Sequence, residues 1–117
     1  MIRDPRLYLD DILESIDAIA EYTANLDEEA FRGAPLVQDA VLRRLQIIGE
    51  AVKRLPAEVC AKYPDVPWRQ MAATRDVVVH DYSGLDLGLT WSVATRDLPP
   101  VKPQIQRILS ELGGGAG

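Results

Sequence analysis

Arg75-Asp76-Val77-Val78-Val79-His80-Asp81-Tyr82 is the stretch on which the fold class turns. Its three consecutive β-branched valines are mediocre helix formers and fit a short strand equally well. A strand needs a partner, however, and no other segment of the chain alternates apolar and polar residues with period two. The valines are therefore predicted to form a helical turn held by tertiary packing. They continue a segment that opens at Pro67-Trp68 and runs through Gln70, Met71, Ala73 and Thr74 into Arg75. With no strand left, the chain is predicted to be all-α, an antiparallel helical bundle with short connections.

Upstream, Asp4-Pro5 signals a helix start, with Asp4 as N-cap and Pro5 in the first turn, where its missing N–H does no harm. A helix is predicted from there to about Ala24, burying a stripe of Leu7, Ile12, Ile16, Ile19 and Ala20 and turning Asp10, Asp11, Glu14, Asp17 and Glu21 outward. Asn25-Leu26-Asp27 breaks it, and Asp27 caps a short helix through Phe31 that ends near Gly33. A second long helix, from about Leu36 to Leu55, carries Val37, Val41, Leu45, Ile48, Val52 and Leu55 at helical spacing. Gly49 in its middle costs about 1 kcal/mol against alanine, which is tolerable where another helix comes close. Glu50 beside it reads equally as an exposed residue or as a buried partner for an arginine.

Pro56, Pro64 and Pro67 punctuate a connection holding one short helix, and Trp68 is expected to anchor the core. Beyond Ser83-Gly84, Asp86 caps a helix from about Leu87 to Asp97, which Leu98-Pro99-Pro100 interrupts. A last helix spans Val101 to Leu112 and tolerates Pro103 only in its first turn. One domain is expected over residues 1–112, followed by a flexible glycine-rich tail, 113–117.

The composition, 47% hydrophobic and 26% charged, is that of a globular chain and excludes a disordered one. No apolar run reaches the roughly 20 residues that span a bilayer, and Met1-Ile2-Arg3-Asp4-Pro5 lacks the pattern of a signal peptide, so no membrane association and a cytoplasmic location are expected. The single cysteine, Cys60, cannot close an internal disulfide and is expected to be a buried or half-buried small apolar residue. His80 is the only histidine, which argues against a histidine-rich metal site. The net charge of −5 speaks against nucleic acid, but its distribution does not. Residues 1–40 hold three basic and ten acidic side chains, whereas residues 41–76 hold seven basic and four acidic. Arg43, Arg44, Lys53, Arg54, Lys62 and Arg69 either solvate outward helix faces or lead a polyanion towards Arg75.

Arg75, Asp76, His80 and Tyr82 combine a permanent cation, an acceptor, a group that titrates near neutral pH and a phenol. On a continuous helix Asp76 and His80 share a face, so the carboxylate can orient the imidazole and favour its protonated form. Arg75 and His80 stand about 140° apart around a regular helix and converge only if the helix loosens near His80. Such parts suffice to cleave RNA without a metal: the imidazole moves protons, the guanidinium grips phosphate bidentately, and the 2′-hydroxyl is the nucleophile. There is no glycine-rich phosphate loop. The plainer reading is an Asp-His pair that ties a helix end, with Arg75 on the surface.

The spacing Arg75-x4-His80-x-Tyr82 does not stand alone. With Asp10-Asp11-Ile12-Leu13-Glu14, Gln38-Asp39-Ala40-Val41, Ile47-Ile48-Gly49-Glu50-Ala51, Pro67-Trp68 and Asp97-Leu98-Pro99, it resembles the HepT-like branch of the HEPN ribonuclease toxins over nearly the whole chain. The resemblance implies a homodimeric, HEPN-like helical fold and a metal-independent endoribonuclease that needs no cofactor, its RNA cleft at the dimer interface. Arg75 and His80 would be catalytic, with Asp76 in support. It also implies the role of toxin in a type VII HepT/MntA-like toxin–antitoxin pair. The partner would be a minimal nucleotidyltransferase antitoxin, MntA-like, that neutralises the toxin by AMPylation of Tyr82. Members often carry Asn after the motif arginine, and the carboxylate of Asp76 would weaken the grip of Arg75 on phosphate. The alternative function is a non-catalytic helical nucleotide-binding or adaptor module that docks a nucleotidyltransferase.

Overall fold

In a computed structural model of the chain the described residues are 3–79 and 86–113, without the side chains of 75–79. Among the described residues seven α-helices follow one another: α1 (Pro5–Thr23), α2 (Glu28–Arg32), α3 (Pro35–Arg54), α4 (Ala57–Lys62), α5 (Trp68–Val79), α6 (Leu87–Ser92) and α7 (Val101–Leu112). A π-helical turn, Val93–Asp97, continues α6 directly. No strand occurs among the described residues, and Val77–Val79 close α5 as the absence of a strand partner requires. Most of the expected tail, residues 114–117, lies outside the described residues.

The caps sit where the side chains predict. Asp4 accepts from the Arg6 N–H at 2.9 Å, Asp27 from the Ala30 N–H at 2.8 Å and Asp86 from the Leu89 N–H at 3.0 Å, each satisfying a donor that the first helical turn leaves unpaired. Pro5 and Pro35 occupy first-turn positions of α1 and α3. Pro99 and Pro100, which carry no N–H, end the segment before α7.

The buried stripe of α1 differs from the predicted one at its ends. Leu9, Ile12, Ile16, Ile19 and Thr23 are buried, whereas Leu7 is 44% exposed and Ala20 faces solvent. A step of three back from Ile12 leads to Leu9 and one of four on from Ile19 leads to Thr23; Leu7 stands on the opposite side of the helix, and Ala20, four residues past Ile16, lies at the solvent edge of the stripe. On α3, Val41, Leu45, Ile48, Gly49 and Val52 are buried, with Val37 half-buried at the start of the helix. Glu50 is on the exposed side of α3.

α1 packs along α3, α3 against α5, and α7 against α1. Arg3, Tyr8 and Asp11, near the start of α1, share a groove with Arg43, Ile47 and Arg54 in the later part of α3, as an antiparallel pair requires. Lys102 on α7 pairs with Asp17 on α1 at 2.8 Å. The centre of the core holds Leu9, Ile12, Leu45, Ile48, Ile105 and Ile108, each at most 1% exposed, and burying side chains of this size is worth about 1.5–3 kcal/mol apiece. Trp68, expected in the core, is instead half-buried at its edge. No helix among the described residues is long and apolar enough to cross a membrane.

Tyr63, which follows α4, is tied to α7 by a polar contact with a pH signature. The Tyr63 hydroxyl donates to Glu111 Oε1 at 2.7 Å, and Arg107 Nε donates to Oε2 at 3.0 Å. The Tyr63 hydrogen bond, then that of Arg107, holds the Glu111 carboxyl below its ordinary 4.5. A depressed carboxylate pKa contributes stability that is present above the ordinary value and lost as pH falls through the folded one. Tyr63→Phe keeps the buried ring but removes the larger cause. Its melting temperature should therefore lie below the wild type near neutral pH, and the gap should narrow below about pH 4.5. Melting curves between about pH 7 and pH 3 check this; a constant gap would contradict it.

Candidate active site

α5 carries the start of the motif, and its first turn fixes its register. The Trp68 N–H donates to the Val66 carbonyl at 2.8 Å and the Met71 N–H to the Pro67 carbonyl at 3.0 Å. Indole Nε1 of Trp68 donates to the Tyr63 carbonyl at 3.0 Å, so the ring clips the helix to the preceding turn even though it is only half-buried. Met71 is 3% exposed and plugs the helix into the core. One turn later the Thr74 hydroxyl donates back to the Gln70 carbonyl at 2.7 Å.

Arg75 and Asp76 are the next two residues of this helix. Their side chains lie outside the described residues, as do His80, Asp81 and Tyr82, so the Asp76-His80 pair and the convergence of Arg75 with His80 lie outside them too. Both edges of residues 80–85 are defined. α5 runs up to Val79, and α6 starts from the Asp86 cap, where the buried Thr90 hydroxyl donates to the Asp86 carbonyl at 2.7 Å. α5 and α6 contact each other.

The π-helical turn faces α5 across a cavity of about 460 Å³. In this turn the Leu98 N–H reaches the Val93 carbonyl at 3.0 Å, five residues back instead of four. Pro99 has no N–H to give the Thr95 carbonyl, which favours the wider spacing just before it. Gln70, Met71 and Thr74 of α5 line one side of the cavity, and Val93, Arg96 and Asp97 line the other. Arg96 and Asp97 are 21 and 22 residues beyond Arg75. Nothing in the sequence spacing brings them to α5, and the only hint was that Asp97-Leu98-Pro99 belongs to the family-like pattern.

The basic middle of the chain divides between two faces. Arg43 and Arg54 line a groove of about 270 Å³ together with Arg3 and Tyr8, the Arg3 guanidinium lying 4.7 Å from the ring centroid. Arg44 lines a different groove, together with Asp10, Glu14, Asp17 and Glu21. Cys60 is half-buried on α4, and burial pushes its thiol pKa up, away from a reactive thiolate. Among the described residues no three His, Cys, Asp or Glu side chains gather as a metal site requires.

An all-helical chain whose fifth helix carries the arginine of an Arg-x4-His-x-Tyr motif is a protein of the HEPN-like kind. More narrowly, this chain belongs to the family described as "Ribonuclease HepT-like", which matches residues 12–108. It is 47% identical over 112 residues to "Gamma-glutamylcyclotransferase and putative RNase MJ0434" of Methanocaldococcus jannaschii, covering 96% of this chain and 50% of that protein. It is also 37% identical over 112 residues to "Putative RNase MJ1216" of the same organism, covering 96% and 93%. With "Probable ribonuclease HepT" of Thermococcus cleftensis it shares 38% identity over 108 residues, covering 92% and 98%. The chain thus spans half the length of the first of these relatives and nearly all of the other two. No solved structure gives a significant match.

Proposed function

We propose that this protein is a metal-independent endoribonuclease that acts as the toxin of a toxin–antitoxin pair. The observation that carries the reading is the family match over residues 12–108, which contains Arg75, His80 and Tyr82 at the motif spacing. Relatives covered over more than nine-tenths of their length are named as ribonucleases, which supports RNA as the substrate. In the proposed reaction His80 takes the 2′-hydroxyl proton or protonates the departing 5′-oxygen as the 2′-oxygen bonds to phosphorus. Arg75 holds the non-bridging oxygens and offsets the charge that builds there. Asp76 orients and charges the imidazole. The test is incubation of the purified chain with single-stranded RNA in EDTA. Cleavage that persists supports the enzyme, and binding without cleavage supports a helical adaptor module instead.

The working form is a homodimer. One acidic chain offers few phosphate contacts, and pairing two motifs in a shared cleft concentrates positive potential where RNA binds. Tyr82 is the regulatory residue, modified by a minimal nucleotidyltransferase. AMP on its oxygen sets a phosphate and a nucleoside beside Arg75 and His80, fills the anion site and repels the RNA backbone. Tyr82→Phe should therefore keep most of the nuclease activity and escape the antitoxin. Co-expression with the cognate nucleotidyltransferase, followed by sedimentation and intact-mass measurement, checks both statements. Dimers and an AMP increment absent from Tyr82→Phe are expected. Monomers alone, or equal modification of both proteins, would contradict them.

A further inference from the structure

The cavity between α5 and the π-helical turn has a chemistry that bond cleavage does not use. Its floor is apolar, because Met71, Val93, Leu98 and Val101 are all buried. Its rim is polar and unengaged: Gln70, Arg96 and Asp97 are exposed, and among the described residues none of these side chains has a hydrogen-bond or ion-pair partner. It also sits next to the motif. Thr74 lines it, and Arg75 is the following residue, about 1.5 Å further along the helix axis. π-helical turns are rare and recur at functional sites, and this one carries both charged groups of the rim.

Proteins read single-stranded RNA by seating splayed bases on apolar surfaces or guanidinium planes and hydrogen-bonding their edges. A guanidinium beside a carboxylate selects among the bases. Guanine offers O6 and N7 as acceptors to an arginine and N1–H and N2–H as donors to a carboxylate. Adenine would set its N6 amine against the arginine and the lone pair of N1 against the carboxylate, both repulsive. Cytosine can give its N4 amine to Asp97, but its smaller ring covers less of the apolar floor.

We propose that this cavity is a base-binding subsite for a guanine of single-stranded RNA next to the cleaved phosphodiester, with Arg96 and Asp97 determining specificity. The substrate class rests on the ribonuclease reading above, so the experiment has one arm that needs no cleavage. In that arm GMP, AMP, CMP and UMP are titrated into the full chain while the methyl signals of Met71, Val93 and Val101 and the side-chain amide of Gln70 are followed by NMR. GMP should move these signals and bind about tenfold or more tightly than the others, as one good bidentate pair permits. Asp97→Asn and Arg96→Gln, both at exposed positions and checked for unchanged helical content, should each erase that preference.

In the second arm the ends of RNA fragments are sequenced. Guanine should be enriched at one fixed position beside the cut, and either substitution should flatten the enrichment. Guanine-selective shifts at Met71 without any RNA cleavage would leave the subsite standing and remove the ribonuclease reading. Cleavage without base enrichment, together with absent or equal shifts at Met71 for the four nucleotides, would overturn the subsite alone. Shifts confined to the groove of Arg43 and Arg54 would also overturn it, since they report attraction of phosphate only.

Discussion

His80→Ala and Arg75→Ala are each expected to lower RNA cleavage by about a thousandfold while the far-ultraviolet circular dichroism stays that of the wild type. Proton transfer by a positioned imidazole contributes about 10²–10⁴-fold, and removing one preorganised donor to a developing oxyanion costs about 10²–10³-fold. The helix should survive both changes. Its register is set upstream by Trp68, Met71 and Thr74, and alanine is the best helix former. Arg75→Lys should also be poor, because a point-charge ammonium cannot reproduce the bidentate fork. If an alanine variant kept wild-type turnover in a gel-based RNA assay, that residue would leave the catalytic assignment.

The largest effect on stability is expected at a position far from the motif in sequence. Phe31 is the single buried residue of the five-residue helix α2, and it is 0% exposed. Its ring lies 5.3 Å from that of Trp91 on α6, tilted by 40°. A helix so short is not stable alone, so Phe31 is what holds α2 to the bundle. Gln38, on α3, adds a hydrogen bond from its amide to the Phe31 carbonyl at 2.9 Å. Phe31→Ala removes the ring and leaves a cavity that the flanking helices cannot readily fill, at a cost of about 3–5 kcal/mol. Against a total of about 6–18 kcal/mol for a chain of this size, that is a large fraction. It also frees one side of Trp91, at the entry to the π-helical turn. Denaturant unfolding should show a clear drop in midpoint, and a change under about 1 kcal/mol would contradict the role given to this ring.

The helices were legible because each boundary has a local cause. Asp4, Asp27 and Asp86 cap, Pro5 and Pro35 start, and Pro99-Pro100 stop, all within a few residues of where they act. The valines of α5 were settled by elimination, since a lone strand has nothing to pair with. Leu7 is apolar but stands five residues before Ile12, about 140° round the helix, and the three-residue step back from Ile12 selects Leu9 instead. Of the π-helical turn the sequence carries only Pro99, and a proline marks a helix end as readily as a widened turn, so the choice between them falls to tertiary packing. The cavity was illegible for the same reason: Gln70 and Arg96 line it from two elements that are remote in sequence. Of the motif itself, Arg75 and Asp76 are on α5, while His80 and Tyr82 rest on spacing and on family membership.

If the proposed nuclease attacks with the substrate's own 2′-hydroxyl and needs no metal, the masses of the fragment ends produced in EDTA reveal it. Ends carrying a 2′,3′-cyclic phosphate paired with 5′-hydroxyls are the predicted result, because the attacking oxygen stays on the upstream fragment and the departing one takes a proton. Ends carrying a 3′-hydroxyl paired with 5′-phosphates, or intact RNA at every time point, would contradict it.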